Sequence, residues 1–169
     1  ALRYADDIAF LISAPLKNLN VITEALKHDV KIINRFHIIN KLSINPSKSK
    51  FMVVHRKTQQ VDIERLKINE NVALERVASY KYLGLIVDEH LTYESHVERL
   101  IKKITQTVNI LSILKWNVSS FILKKIYQAH FHSHLHYVPF IYGLVKGELL
   151  NELQTLQNRA LKHCYKLPV

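Results

Sequence analysis

Apolar residues recur along this chain with two different periods, and the change between them falls near residue 88. Leu2 to Ala5 and Ile8 to Ile12 are short apolar runs on either side of Asp6 and Asp7, the pattern of two strands joined at a hairpin tip. From Leu16 to Leu42 the spacing turns helical, with Leu19, Ile22, Leu26, Val30, Ile33 and Phe36 at three- and four-residue steps. Asn45-Pro46-Ser47 breaks that helix, and Phe51 to His55 reads as a strand. Leu66/Ile68 and Val72/Leu74 alternate around Asn69-Glu70-Asn71, a further hairpin signal. Tyr80 to Val87 is strand-like, and Gly84 inside it marks a bulge or a close backbone approach.

Beyond residue 88 the period is helical throughout. Thr92 can cap a first helix, with Glu94 in its positive first turn and a stripe of Val97, Leu100, Ile101, Ile104, Val108, Leu111 and Leu114. A second helix fits Ser120 to about His136, with Ile122, Leu123, Ile126 and Phe131 inward. A third runs from about Gly147 to Tyr165, carrying Leu149, Leu150, Leu153, Leu156, Ala160, Leu161 and Cys164 on one side. Three amphipathic helices with short connections make a small bundle. The expected fold is therefore α+β: a mixed part over residues 1–87, with a β-hairpin, a helix and antiparallel strands, then an all-helical part over 88–169.

Composition narrows the class. The chain has 169 residues, 48% of them hydrophobic, enough to bury a core. A single cysteine, Cys164, excludes an intrachain disulfide and suits an intracellular setting, nucleus or cytoplasm left open. No apolar run reaches the length of a membrane span, so no membrane partner is expected. The net charge is +10. Its distribution says more: no acid lies between Asp29 and Asp62, where seven basic residues stand, or between Glu98 and Glu148, where seven more stand. Long acid-free stretches are the footprint of a surface that follows a phosphate backbone.

The adjacent aspartates carry the chemistry. Two ionised carboxylates about 5 Å apart repel by roughly 3 kcal/mol at an effective dielectric near 20. A divalent cation relieves that repulsion, and Mg²⁺ takes few protein carboxylates, completing its shell with water and substrate phosphates. Two such ions can activate an attacking hydroxyl and stabilise a leaving oxygen in phosphoryl transfer. His130, His132, His134 and His136 invite a zinc reading, but their two i,i+4 pairs point to different faces and no acid or cysteine stands near. Cys164, on an apolar stripe, reads as core.

The motifs occur in a recognisable order. "YADD" at Tyr4 to Asp7 resembles the Tyr-X-Asp-Asp metal motif of reverse transcriptases. "LSINPSKSKFMVV" (Leu42 to Val54) and "SYKYLGLIVDEHLTYESHV" (Ser79 to Val97) resemble later segments of the reverse transcriptases of non-LTR, LINE-type retrotransposons, the second holding a Tyr-Leu-Gly primer grip and the start of the thumb. "FHSHLHYV" and "LQTLQNRALKHCYKLP" resemble their thumb segments. The resemblance spans nearly the whole chain and implies the C-terminal palm over 1–87 and the thumb over 88–169.

It also implies roles. Asp6 would be the main ligand of a catalytic Mg²⁺ pair and Asp7 its neighbour, with Tyr4 beside the primer end and incoming nucleotide. Lys48 would stabilise the leaving pyrophosphate or donate a proton to it. Tyr82, Leu83 and Gly84 would hold the primer 3′ end, and Arg99, Lys102 and Lys103 would lie along the template–primer duplex. The implied reaction joins a dNTP to a primer 3′-OH on an RNA template. Tyr93 stands where the family often has tryptophan, and Tyr142-Gly143 where it often has Trp-Gly. Fingers, upstream palm and its metal-binding aspartate are not in these residues, and no endonuclease or RNase H pattern appears. The isolated chain is therefore expected to be inactive, completed by the upstream fingers and palm of a parent polyprotein. The alternative is a catalytically dead remnant that binds nucleic acid non-specifically.

Overall fold

A computed structural model describes residues 2–4, 7–13, 15, 18–42, 44–59, 61 and 73–168. The chain forms two compact units, Ala1–Tyr80 and Lys81–Val169.

In the first unit β1 (Leu2–Tyr4) and β2 (Asp7–Ala9) pair antiparallel, with Leu2 opposite Ala9, Arg3 opposite Ile8 and Tyr4 opposite Asp7. Helix α1 (Leu19–Ile39) follows the three-to-four spacing of its apolar residues. It closes in a Schellman arrangement: Lys41 takes a left-handed φ of 55°, its N–H donates to the Ile38 carbonyl at 3.1 Å, and Leu42 N–H donates to His37 at 2.8 Å. The Asn45-Pro46-Ser47 break is a turn organised by Asn45, whose Oδ1 accepts from the Ser47 N–H at 3.1 Å and from the Ser47 hydroxyl at 2.7 Å.

β3 (Lys50–Phe51) is shorter than the run to His55, and it pairs with β4 (Glu75–Arg76) in parallel, Lys50 opposite Glu75 and Phe51 opposite Arg76. The antiparallel expectation fails at this pair. Parallel strands need a long crossover, and the chain between Phe51 and Glu75 supplies one. Most of the hairpin expected around Asn69-Glu70-Asn71 lies outside the described residues.

Burial in this unit is sparse. Among its described residues only Thr23 and Val61 are buried, while Val21, Ile32, Phe36, Ile38 and Ile39 of α1 are exposed, Ile39 by 70%.

The second unit opens with a hairpin of β5 (Ser79–Tyr82) and β6 (Leu85–Asp88), the first strand straddling the division after Tyr80. What reads as one strand from Tyr80 to Val87 is thus folded at Leu83-Gly84. The sequence changes to helical character near residue 88, yet the compact unit begins at Lys81. Packing explains this: Leu85 and Val87 of β6 lie against the helical core.

Helices α2 (Glu94–Leu114), α3 (Ser120–Tyr127), α4 (Ser133–His136) and α5 (Gly147–Cys164) build that core, with a π-helical turn over Gln128–His132 joining α3 to α4 and a 3₁₀ segment over Pro139–Gly143. Val97, Ile104 and Leu111 of α2, Leu123 of α3, Phe131 of the π turn and Cys164 of α5 are all at 0% exposure. α2 and α5 run in the same direction. Their N-termini are joined by Lys146 and Glu94 at 3.2 Å, and Lys115 just past α2 bears electrostatically on His163 at the end of α5.

The start of α2 is not capped as the sequence suggests. Its N-cap is Tyr93, at a left-handed φ of 57° and without a side-chain cap bond, and Thr92 Oγ1 reaches the Glu94 N–H only at 3.5 Å. Asp88 supplies the acceptor instead. Its carboxylate accepts the N–H groups of His90 at 3.0 Å, Thr92 at 3.1 Å and Tyr93 at 2.7 Å, and the Thr92 hydroxyl at 3.1 Å. Burial opposes the ionised form, but the combined hydrogen bonds outweigh it and hold the carboxyl below its usual value of 3.8. Asp88→Ala is expected to lower stability by about 1–2 kcal/mol, the range for losing a helix-start acceptor, in chemical denaturation of the chain. An unchanged midpoint would show that this loop is held by other means.

Candidate functional site

The hairpin of the first unit sets Tyr4 against Asp7 across its last described pair, with Asp7 exposed and Tyr4 66% exposed. Asp6, between them in sequence, lies outside the described residues. A solvent-facing carboxylate at the start of a short strand is a hard oxygen donor, the type Mg²⁺ selects. The described part of this hairpin therefore fits one ligand of such an ion. Among the described residues no group of three or more His, Cys, Asp or Glu gathers as a metal site, at this hairpin or elsewhere.

Lys48 sits on the Asn45 turn, its N–H donating to the Asn45 carbonyl at 3.2 Å. Its own carbonyl accepts the Tyr80 hydroxyl at 3.0 Å, and the residue is exposed. The backbone of the lysine is thus fixed while the side chain faces solvent.

Leu83 and Gly84 form the tip of the second hairpin, with φ of 47° and 91°. Two positive φ values match the twist of a two-residue hairpin turn. Glycine adopts them freely, but leucine at Leu83 is strained by about 1–2 kcal/mol. Two groups from the helical part and the hairpin's own Asp88 hold it in place. The Tyr137 hydroxyl donates to the Leu83 carbonyl, and its ring lies where a Gly84 Cβ would meet it at 3.5 Å. His96 of α2 accepts the Ile86 N–H on Nδ1 at 3.2 Å. Asp88 ties the far end of β6 to the start of α2. Tyr82 is half-buried, and Leu83 and Gly84 are exposed.

Arg99, Lys102 and Lys103 are exposed and fall on one face of α2 by their three- and four-residue steps. Two neighbours join them. Burial first, then the Lys103 and His130 charges, hold His134 below its usual 6.5. Burial, then Arg99, does the same to His96. His134 of "FHSHLHYV" and His96 thus flank a cationic helix face, while the His132 and His136 rings lie 4.1 Å from each other.

Sequence reasoning missed Asp88, His96 and Tyr137 as supports of the hairpin. The spacing from Asp88 to Tyr93 carried a signal, since an aspartate just before a helix start can collect its free N–H groups. Tyr137 carried none, being separated from Leu83 by 54 residues.

Comparison with known proteins bears on what this assembly serves. The chain is 27% identical over 162 residues, 94% of its length, to the RNA-directed DNA polymerase from mobile element jockey of Drosophila funebris. It is also 27% identical over 165 residues to the probable RNA-directed DNA polymerase from transposon BS of Drosophila melanogaster. The chain's relatives are RNA-directed DNA polymerases. The resemblance to non-LTR reverse transcriptases drawn from the motifs is borne out by these matches. The chain spans less than a fifth of their length, 17% and 18% respectively. No protein-family model and no solved structure matches it.

The His96 contact makes the hairpin sensitive to acid. Only the neutral imidazole can accept the Ile86 N–H, and burial lowers its folded pKa below 6.5. Stability from this contact is fully present above the unfolded pKa and is lost as pH falls below it. Buried His163, lowered by burial and then by Lys115 and Arg159, acts in the same direction. The melting temperature should therefore drop between about pH 7 and about pH 5, and His96→Gln should reduce the drop. A flat profile over that range would contradict the assignment.

Proposed function

We propose that the chain is the C-terminal portion of a reverse transcriptase core, the end of the palm followed by the helical thumb. The observation that carries this is the similarity along 94% of the chain to RNA-directed DNA polymerases. The pairing of Tyr4 with Asp7 supports the same reading, because it sets the "YADD" motif on a hairpin.

In the intact enzyme, Asp6 and Asp7 would hold Mg²⁺, together with carboxylate from the upstream palm. When bound, Mg²⁺ supplies neutralisation of the charge that develops as a primer 3′-OH attacks the α-phosphate of a dNTP. The remaining residues position and stabilise. Tyr4 packs beside the primer end and the incoming nucleotide. The Lys48 ammonium offsets the charge of the departing pyrophosphate, and its fixed backbone limits the entropy lost in reaching it. Tyr82, Leu83 and Gly84 bear on the primer 3′ end, with the absence of a Cβ at Gly84 letting the Tyr137 ring pack against the tip and hold it in place. Arg99, Lys102 and Lys103 contact duplex phosphates and carry no sequence preference.

Two experiments test this reading. In the longer polymerase, Asp7→Ala and Asp6→Ala should each abolish primer extension on an RNA template while leaving duplex binding intact. The 169-residue chain alone should not extend a primer. Extension by that chain, lost on Asp6→Ala, would overturn its proposed dependence on the upstream palm. Retained extension by both aspartate variants of the longer polymerase would overturn the metal assignment. For binding, about six phosphate contacts give a slope of log K against log salt near −5 on B-DNA. Replacing Arg99, Lys102 and Lys103 together by alanine should make that slope shallower by about 2.7. An unchanged slope would remove the duplex from this face.

A further inference from the structure

The helical unit is polarised along its length. Its six acids are Asp88, Glu89, Glu94, Glu98, Glu148 and Glu152, all before α2 or in the first two turns of α2 and α5. Because α2 and α5 run in the same direction, these acids share one end of the bundle. The opposite end carries Lys115, Lys124, Lys125, Arg159, Lys162 and Lys166 and no acid of this unit. Three contacts gather its parts: Lys115 bears on His163, Cys164 Sγ lies 3.6 Å from the Leu123 carbonyl, and Lys124 sits over Tyr165.

Aromatic rings stand among these cations. Trp116 is 74% exposed, Phe121 69% and Tyr165 56%. Each has a lysine ammonium at its ring: Lys115 at 4.7 Å from Trp116, Lys125 at 5.7 Å from Phe121 and Lys124 at 4.1 Å from Tyr165. Exposed rings gathered at one end of a bundle, unlike rings scattered singly, mark an interaction surface. A base stacked on such a ring brings its phosphate within reach of the neighbouring ammonium.

We infer that this end of the bundle binds single-stranded nucleic acid, through stacking on Trp116 and Phe121 and phosphate contacts from Lys115, Lys124 and Lys125. The site lies beyond Ile110 and Ile113 on α2, apart from the Arg99–Lys102–Lys103 face at the other half of that helix. The charge pattern decides the occupant. An apolar protein partner would cover the rings but leave six cations uncompensated, whereas an unpaired strand meets both features.

Trp116 is the sole tryptophan, so its fluorescence reports this site alone. The full chain is titrated with an oligodeoxythymidylate of about twelve nucleotides, within the span one such groove takes. Saturable quenching is expected, with Phe121→Ala weakening single-strand affinity about tenfold and leaving duplex affinity unchanged. Inorganic polyphosphate should bind without quenching. Oligonucleotide binding without quenching, or binding that Phe121→Ala leaves at full strength, would overturn the inference. So would concentration-dependent self-association, relieved by Trp116→Ala, with no quenching by the oligonucleotide. Failure here leaves the test of duplex binding through Arg99, Lys102 and Lys103 standing, so the two readings fall separately.

Discussion

The packing of α2 on α5 is the constraint from which the rest of the helical unit follows. Val97, Ile104, Val108 and Leu111 give α2 a continuous buried stripe, and Leu153, Leu156, Ala160 and Cys164 give α5 its match. Each large side chain buried there contributes about 1.5–3 kcal/mol relative to exposure. Ala160, fully buried and small, allows close approach of the helices. With both helices fixed, α3 and the π turn pack Leu123 and Phe131 into the remaining space, and the β5–β6 hairpin adds Leu85 and Val87. The hairpin docks on a core whose fully buried residues all lie outside it.

The first unit is built on the opposite balance. Its elements have good local reasons to form: a registered hairpin, an amphipathic helix closed by Lys41 and an asparagine-organised turn. Burial does not follow. The α1 stripe of Ile22, Leu26, Val30 and Ile33 is half-buried, and Val21, Ile32, Ile38 and Ile39 face solvent on other sides of the helix. A helix that is apolar around much of its circumference belongs under cover on more than one side. The local sequence therefore specifies elements whose stabilisation depends on surface these residues do not bury among themselves.

How much of this was legible in the sequence depends on the range of the interaction. The stripe from Val97 to Leu111 and the run from Leu149 to Cys164 follow from periodicity alone, since a 3.6-residue repeat leaves one way to hide them. The ordered motifs were legible too, and the similarity to RNA-directed DNA polymerases agrees with them. The parallel pairing of Lys50 with Glu75 was not, because strand direction is set by the crossover and leaves no mark in short runs. Nor was the hold of Asp88 on the start of α2, where nearby Thr92 offers the more familiar cap. Of the site, the residue types were readable and their supports were not. Tyr137 reaches Leu83 only once the helical unit has folded.

Those supports decide what the hairpin can do mechanically. Leu83 holds a left-handed backbone that leucine resists, so the turn keeps its shape only while its surroundings enforce it. Tyr137 grips the tip, His96 the middle of β6 and Asp88 its end, so the turn and two points along β6 are fixed to the helical part. A segment held at three points cannot pivot about any one of them. The hairpin tip and the Arg99–Lys102–Lys103 face of α2 therefore move as one body, because His96 lies on α2 one turn before that face begins. On the proposed reading, a duplex seated on α2 would then keep a constant offset from Leu83 and Gly84 however the helical unit shifts. The proposed grip on a primer end needs that property, and the hydrogen bonds from Tyr137, His96 and Asp88 supply it without any flexible joint in between.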